Sequence, residues 1–91
     1  MKTIRLEGPG KNSLSSGLME RTLAAVREAG DAPIFLTGGG DTFCAGLDLK
    51  EVASHDEPGM VSFLGLLEDL VQALYEHPGP TVAFVNGHAI A

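Results

Sequence analysis

Two short apolar runs, Ile34-Phe35-Leu36 and Thr81-Val82-Ala83-Phe84-Val85, stand on either side of one long helical stripe. Neither run alternates apolar with polar residues. That pattern predicts strands buried on both faces, as in a parallel sheet. Parallel strands cannot be joined by a hairpin and need a long crossover, usually a helix. Between the runs, Met60, Phe63, Leu64, Leu67, Leu70, Val71 and Leu74 recur in steps of three and four, one continuous face of a helix. Pro58 sits near its start, with Asp56 and Glu57 placed favourably against the helix dipole, and Pro78-Gly79-Pro80 ends it.

The N-terminal half repeats the alternation. Ile4 and Leu6 alternate with Arg5 and Glu7, which reads as a short strand stopped by Gly8-Pro9-Gly10. Ser15 and Ser16 are candidate caps. Met19, Leu23 and Val26 then mark a helix predicted over about Gly17–Ala29, with Gly30 as its stop and Asp31 and Pro33 beyond. Asp48-Leu49-Lys50-Glu51 resembles a capping box, Asp48 the cap and Glu51 its partner, opening at most a short helical turn. Asn86-Gly87 is a turn pair, followed by an apolar tail, His88-Ala89-Ile90-Ala91. The predicted order is strand, helix, strand, turn, long helix, strand: an α/β unit with right-handed crossovers. Strands so sparsely covered, and an uncapped apolar tail, predict the opening portion of a larger domain.

Composition limits what such a unit does. With 91 residues and 44% of them hydrophobic, the chain is one small domain or part of one. Its net charge of −6, without a basic block or basic helix, argues against gripping DNA or RNA. The most apolar stretch, Met60 to Leu74, is interrupted by Glu68 and Asp69, and Met1-Lys2-Thr3-Ile4-Arg5 lacks the apolar block of a signal peptide. The expectation is a soluble cytoplasmic protein without nucleic-acid or membrane partners.

Several residues could carry chemistry. Thr37-Gly38-Gly39-Gly40-Asp41 follows a buried strand, as a phosphate-cradling loop would. The dinucleotide spacing fails, because Phe43 occupies the last glycine position counted from Gly38, and no Walker-type Gly-Lys-Ser/Thr is present. The lone Cys44 reads as a buried structural thiol, since His55, His77 and His88 have no spacing that makes one of them its base. Nor do those histidines show metal-ligand spacing. The segment Phe43-Cys44-Ala45-Gly46-Leu47-Asp48-Leu49-Lys50-Glu51 is more informative. Small residues let a ligand approach the backbone, and a helix start leaves N–H groups without internal partners. Such donors can stabilise an oxyanion. A tight turn into a capped helix explains the same residues.

In three places, in the right order, the sequence resembles the crotonase superfamily, the enoyl-CoA hydratase/isomerase family. Asn12-Ser13-Leu14 is similar to the family's Asn-Ala-Leu. Leu36-Thr37-Gly38-Gly39-Gly40 through Glu51 is similar to its Leu-Thr-Gly stretch and Ala-Gly-x-Asp signature. Pro80 through Ala91 looks like the strand and turn leading to its second signature. The resemblance implies repeated β-β-α units with a mixed sheet, of which residues 1–91 would be the N-terminal portion, lacking the first strand of the usual hairpin. It implies acyl-CoA thioester substrates, no further cofactor, lyase or isomerase chemistry of the kind used in fatty acid metabolism, and assembly as a trimer or hexamer. Leu47, between Gly46 and Asp48, would offer its backbone N–H to the oxyanion hole; Ala45, Gly46, Leu47, Asp48 and Leu49 would line the bound substrate. The second donor would follow directly after Ala91, and the family's acid/base glutamates lie further on. On that reading residues 1–91 alone are expected to be inactive; a non-catalytic CoA-binding or scaffolding relative is the alternative.

Overall fold

The computed structural model describes residues 1–89. Strand β1 (Lys2–Leu6) is followed by α1 (Pro9–Asn12), a single turn, and by helix α2 (Ser16–Glu28). Strands β2 (Ile34–Gly38) and β3 (Thr42–Cys44) come next, then helices α3 (Leu49–Ser54) and α4 (Glu57–Glu76), and strands β4 (Thr81–Phe84) and β5 (His88–Ala89). The main sheet has the order β1-β2-β4, and β3 pairs with β5 in a second, two-stranded sheet. Every one of these pairings is parallel, with Ile4 beside Leu36 and Leu36 beside Ala83. The antiparallel component of a mixed sheet does not occur among the described residues. The tail at Ile90-Ala91 lies outside them.

The α2 forecast holds to within a residue. Ser15 caps it by accepting the Leu18 N–H, and the helix buries Leu18, Met19, Thr22, Leu23 and Val26. Four elements meet through α2: it lies against β1 and β2 through Ile4, Val26 and Ile34, and against α4 through Met19, Leu23, Phe63 and Leu70. Leu6, Leu18 and Cys44 form a third apolar group, which makes Cys44 a structural thiol as its sequence context suggested.

Cover is missing in two places, in keeping with the sparse cover read from the sequence. The apolar run of β4 needs cover on both faces, yet all four of its residues are exposed, and Val82 and Phe84 are more than half accessible. The register accounts for half of it: Phe35, Val82 and Phe84 share the face away from the α2 core, which the described residues leave open, whereas Thr81 and Ala83, on the other face beside Ile34 and Leu36, are exposed as well. The α4 stripe is also wider than its partner. Phe63 and Leu70 are buried, whereas Leu64 and Val71 are 47% and 58% exposed, because α2 covers only one flank of the stripe. No helix among the described residues is long and apolar enough to cross a membrane.

Candidate functional site

Three stretches far apart in sequence meet around the glycine-rich loop. Asn12 comes first. It is buried, sits at φ 62°, accepts the Gly8 N–H at 3.1 Å, and donates through Nδ2 to the carbonyls of Gly39 (2.9 Å) and Thr42 (2.7 Å). A left-handed backbone is rare for any residue but glycine; asparagine tolerates it best because its amide can bond locally. From the other side Asn86 accepts the Gly38 N–H at 3.0 Å and donates to the Gly40 carbonyl at 2.9 Å. Two side-chain amides thus fasten a loop whose glycines leave no side chain to pack. Gly38 is there for close approach: a Cβ would meet Phe43 Cα at 2.6 Å.

The loop delivers the chain to Ala45-Gly46-Leu47-Asp48. Gly46 is buried at φ 88°, a conformation that residues with a Cβ rarely adopt, and its N–H points at Cys44 Sγ at 3.4 Å. Leu47 then forms an isolated parallel bridge with Leu14. The Leu14 N–H donates to the Gly46 carbonyl at 2.7 Å, and the Asp48 N–H donates to the Leu14 carbonyl at 3.0 Å. In a parallel bridge the two neighbours of one residue serve the other strand, so that residue's own N–H and C=O face away. Accordingly the Leu47 N–H has no hydrogen-bond partner among the described residues. Its side chain packs on the Met19–Phe63 core, which holds the peptide in place.

Asp48 caps α3 through Oδ1, accepting from Lys50 N (3.1 Å) and Glu51 N (3.2 Å). The reciprocal half of the expected capping box is absent. The Asp48 N–H is already taken by Leu14, so Glu51 turns to α2: it accepts the Ser16 N–H at 2.8 Å and the Ser16 hydroxyl, and pairs with His55 Nε2 at 2.8 Å. The Ser16 hydroxyl, then the Ser16 N–H and His55, hold the Glu51 carboxyl below the ordinary glutamate range against the opposing effect of burial. Sequence spacing alone could not find this tie, since Ser16 and Glu51 come together only through the fold.

Of the five positions singled out in the sequence, Gly46 is buried, Ala45, Leu47 and Asp48 are partly buried, and Leu49 is 75% exposed. Two concave regions of about 510 Å³ lie elsewhere. One is on the open sheet face beside Phe35, Gly38 and Phe84, the other along Leu64, Val71 and Tyr75 of α4; neither includes Ala45–Leu49. No group of three or more His, Cys, Asp or Glu able to hold a metal occurs among the described residues.

The family model for enoyl-CoA hydratase/isomerase matches residues 1–91. The chain belongs to this family. Among its relatives, the Probable enoyl-CoA hydratase echA6 of Mycobacterium tuberculosis is 40% identical over 93 residues, covering 97% of this chain and 36% of the relative. Enoyl-CoA hydratase domain-containing protein 2, mitochondrial, of Homo sapiens is 36% identical over 81 residues, covering 87% of this chain and 27% of that protein. The crystal structure of enoyl-CoA hydratase from Bacillus anthracis superposes with a TM-score of 0.84 at 30% identity, over 93% of this chain and 35% of its own. The fold is therefore that of the crotonase-like family, and the chain spans about a third of the length of the relatives it matches.

Proposed function

We propose that these residues are the N-terminal portion of an enoyl-CoA hydratase/isomerase domain acting on acyl-CoA thioesters, and that Leu47 supplies one backbone donor of its oxyanion hole. The observation that carries this reading is the Leu47 N–H, turned away from Leu14 by the bridge and without a partner among the described residues, inside the segment that resembles the family's Ala-Gly-x-Asp signature. Addition or loss of a group next to a thioester carbonyl passes through an enolate-like state with negative charge on the carbonyl oxygen. A fixed N–H binds that charge more tightly than it binds the neutral carbonyl, and one such donor is typically worth about 3–4 kcal/mol in the barrier. Ala45, Gly46, Asp48 and Leu49 would lie along the bound substrate, Gly46 allowing its close approach and Leu49 offering an exposed apolar side chain.

Proton transfer at the reacting carbon needs a carboxylate or similar base. The Asp48 carboxylate is engaged as a cap and the Glu51 carboxylate with Ser16 and His55. On the family resemblance the acid/base groups and the second donor would lie in segments beyond these residues, and the 91-residue chain alone is expected not to turn over enoyl-CoA. Cytoplasmic location and trimeric or hexameric assembly accompany the reading.

The experiment replaces the amide at Leu47 by an ester in the protein as its host cell makes it, with crotonyl-CoA as probe. A loss of roughly 100–1,000-fold in kcat is expected for one missing oxyanion donor. An unchanged rate removes Leu47 from the reaction. The intact mass of that protein tests the reading of these residues as part of a longer domain.

A further inference from the structure

We propose that Glu51, held by Ser16, is a positioning residue that fixes the direction of the Leu47 peptide N–H; the inference rests on the oxyanion reading above. Helix α3 begins two residues after Leu47 and contains no fully buried residue. Val52 is only partly buried against the core, so apolar packing alone does little to fix the helix. Its N-terminal end is tied to one residue of the neighbouring strip, Leu14, whose N–H donates to the Gly46 carbonyl and whose carbonyl accepts the Asp48 N–H. About ties to one residue a short helix can still tilt, and a tilt of α3 turns the Leu47 peptide on its core contact.

The second attachment is Glu51. One carboxylate oxygen takes the Ser16 N–H at 2.8 Å, a donor that the first turn of α2 leaves without an internal partner. The other takes the Ser16 hydroxyl and His55 Nε2. The His55 ring rests against Phe63 of α4, centroids 5.5 Å apart, which steadies the far end of α3. Leu14 and Ser16 lie two residues apart on one strip of backbone, and both are gripped by the segment Leu47–Glu51. Two fixed points on one strip set an angle where one would leave a pivot. The charged and titratable groups about this carboxylate are His55 on its own helix and the Asp48 cap. From α2 it meets only the hydroxyl and N–H of Ser16.

The test uses the protein as its host cell makes it, with crotonyl-CoA as probe and rates referred to folded protein. Glu51→Ala is expected to lower kcat roughly 10–100-fold while KM stays within about twofold, the pattern of a displaced transition-state donor. Ser16→Ala keeps the N–H contact and should fall between that variant and wild type, and Ser16→Thr, which restores the hydroxyl, should regain most of the rate. In the amide spectrum, the Leu47 resonance should move in Glu51→Ala and Ser16→Ala while those of Ile4 and Leu36 in the sheet stay in place. If Glu51→Ala does not fold, the Ser16 pair gives the same readouts. Wild-type kcat in the folded variants, or a Leu47 resonance that does not move, overturns the proposal. The ester at Leu47 in the same assay separates the two ideas. A harmless ester sinks the oxyanion reading, whereas a slow ester beside fast Glu51 and Ser16 variants sinks only the positioning role.

Discussion

Gly46 is the residue on which the local geometry turns. Its φ of 88° leads the chain into Leu47, whose side chain meets the core and whose N–H faces away from Leu14. Gly46→Ala forces a Cβ into that conformation, at a cost of about 1–2 kcal/mol if the backbone holds, and a denaturant midpoint reads it. At Leu47 the side chain and the amide should come apart experimentally. Leu47→Ala trims packing at a half-buried position and is expected to leave kcat nearly intact. Leu47→Pro removes the donor and should abolish turnover, with the ester variant checking that the loss is the donor and not a distorted turn. Asp48→Ala leaves the Lys50 and Glu51 N–H groups without their acceptor and should cost about 1 kcal/mol of stability, as loss of a helix cap usually does.

At the scale of elements, the tie between α2 and α3 predicts a pH dependence with a definite sign. The Ser16 hydroxyl is the largest influence holding the Glu51 carboxyl below its ordinary range. The stabilisation is therefore complete above the usual glutamate pKa and is lost as pH falls through the lowered folded value. Thermal midpoints of wild type should drop across that acid window, and Glu51→Gln should flatten that part of the curve; parallel curves for the two proteins would contradict the tie. Sequence made some of these elements legible and not others. Helices α2 and α4 were readable because their apolar steps and caps are local. The capping box was half right: Asp48 caps from within its own helix, but the fate of Glu51 depended on Leu14 having already taken the Asp48 N–H. The turn at Pro9–Asn12 and strand β3 were not readable, since the left-handed Asn12 is held not just by Gly8 but by carbonyls of Gly39 and Thr42 some thirty residues away. The candidate site was legible as a motif at Ala45–Leu49. What makes the Leu47 N–H available is a bridge to Leu14 that no local pattern encodes.

For the whole molecule, the decisive feature is apolar surface. A second strip on α4, Val61, Leu64, Val71 and Tyr75, is exposed, Tyr75 by 89%, and so are Val82 and Phe84 along the sheet's open side and Val85 after them. Contiguous apolar surface on a small chain favours association. The 91-residue chain by itself is expected to self-associate or to melt over a broad range. Sedimentation with thermal melting checks this, and a monodisperse monomer with a sharp transition would contradict it. Val71→Lys together with Leu64→Lys should lower the association. The sheet order adds a consequence in time. A polypeptide emerges from the ribosome N-terminus first, so β1, α2 and β2 can close as a crossover unit while the rest is still being made. The edge of β2 that β4 will occupy stays bare until all of α4 and Thr81–Phe84 have emerged. For that interval the nascent chain presents an unpaired parallel edge through Ile34–Thr37 beside the uncovered ring of Phe35. This is the kind of surface on which chaperones act and early misassembly begins.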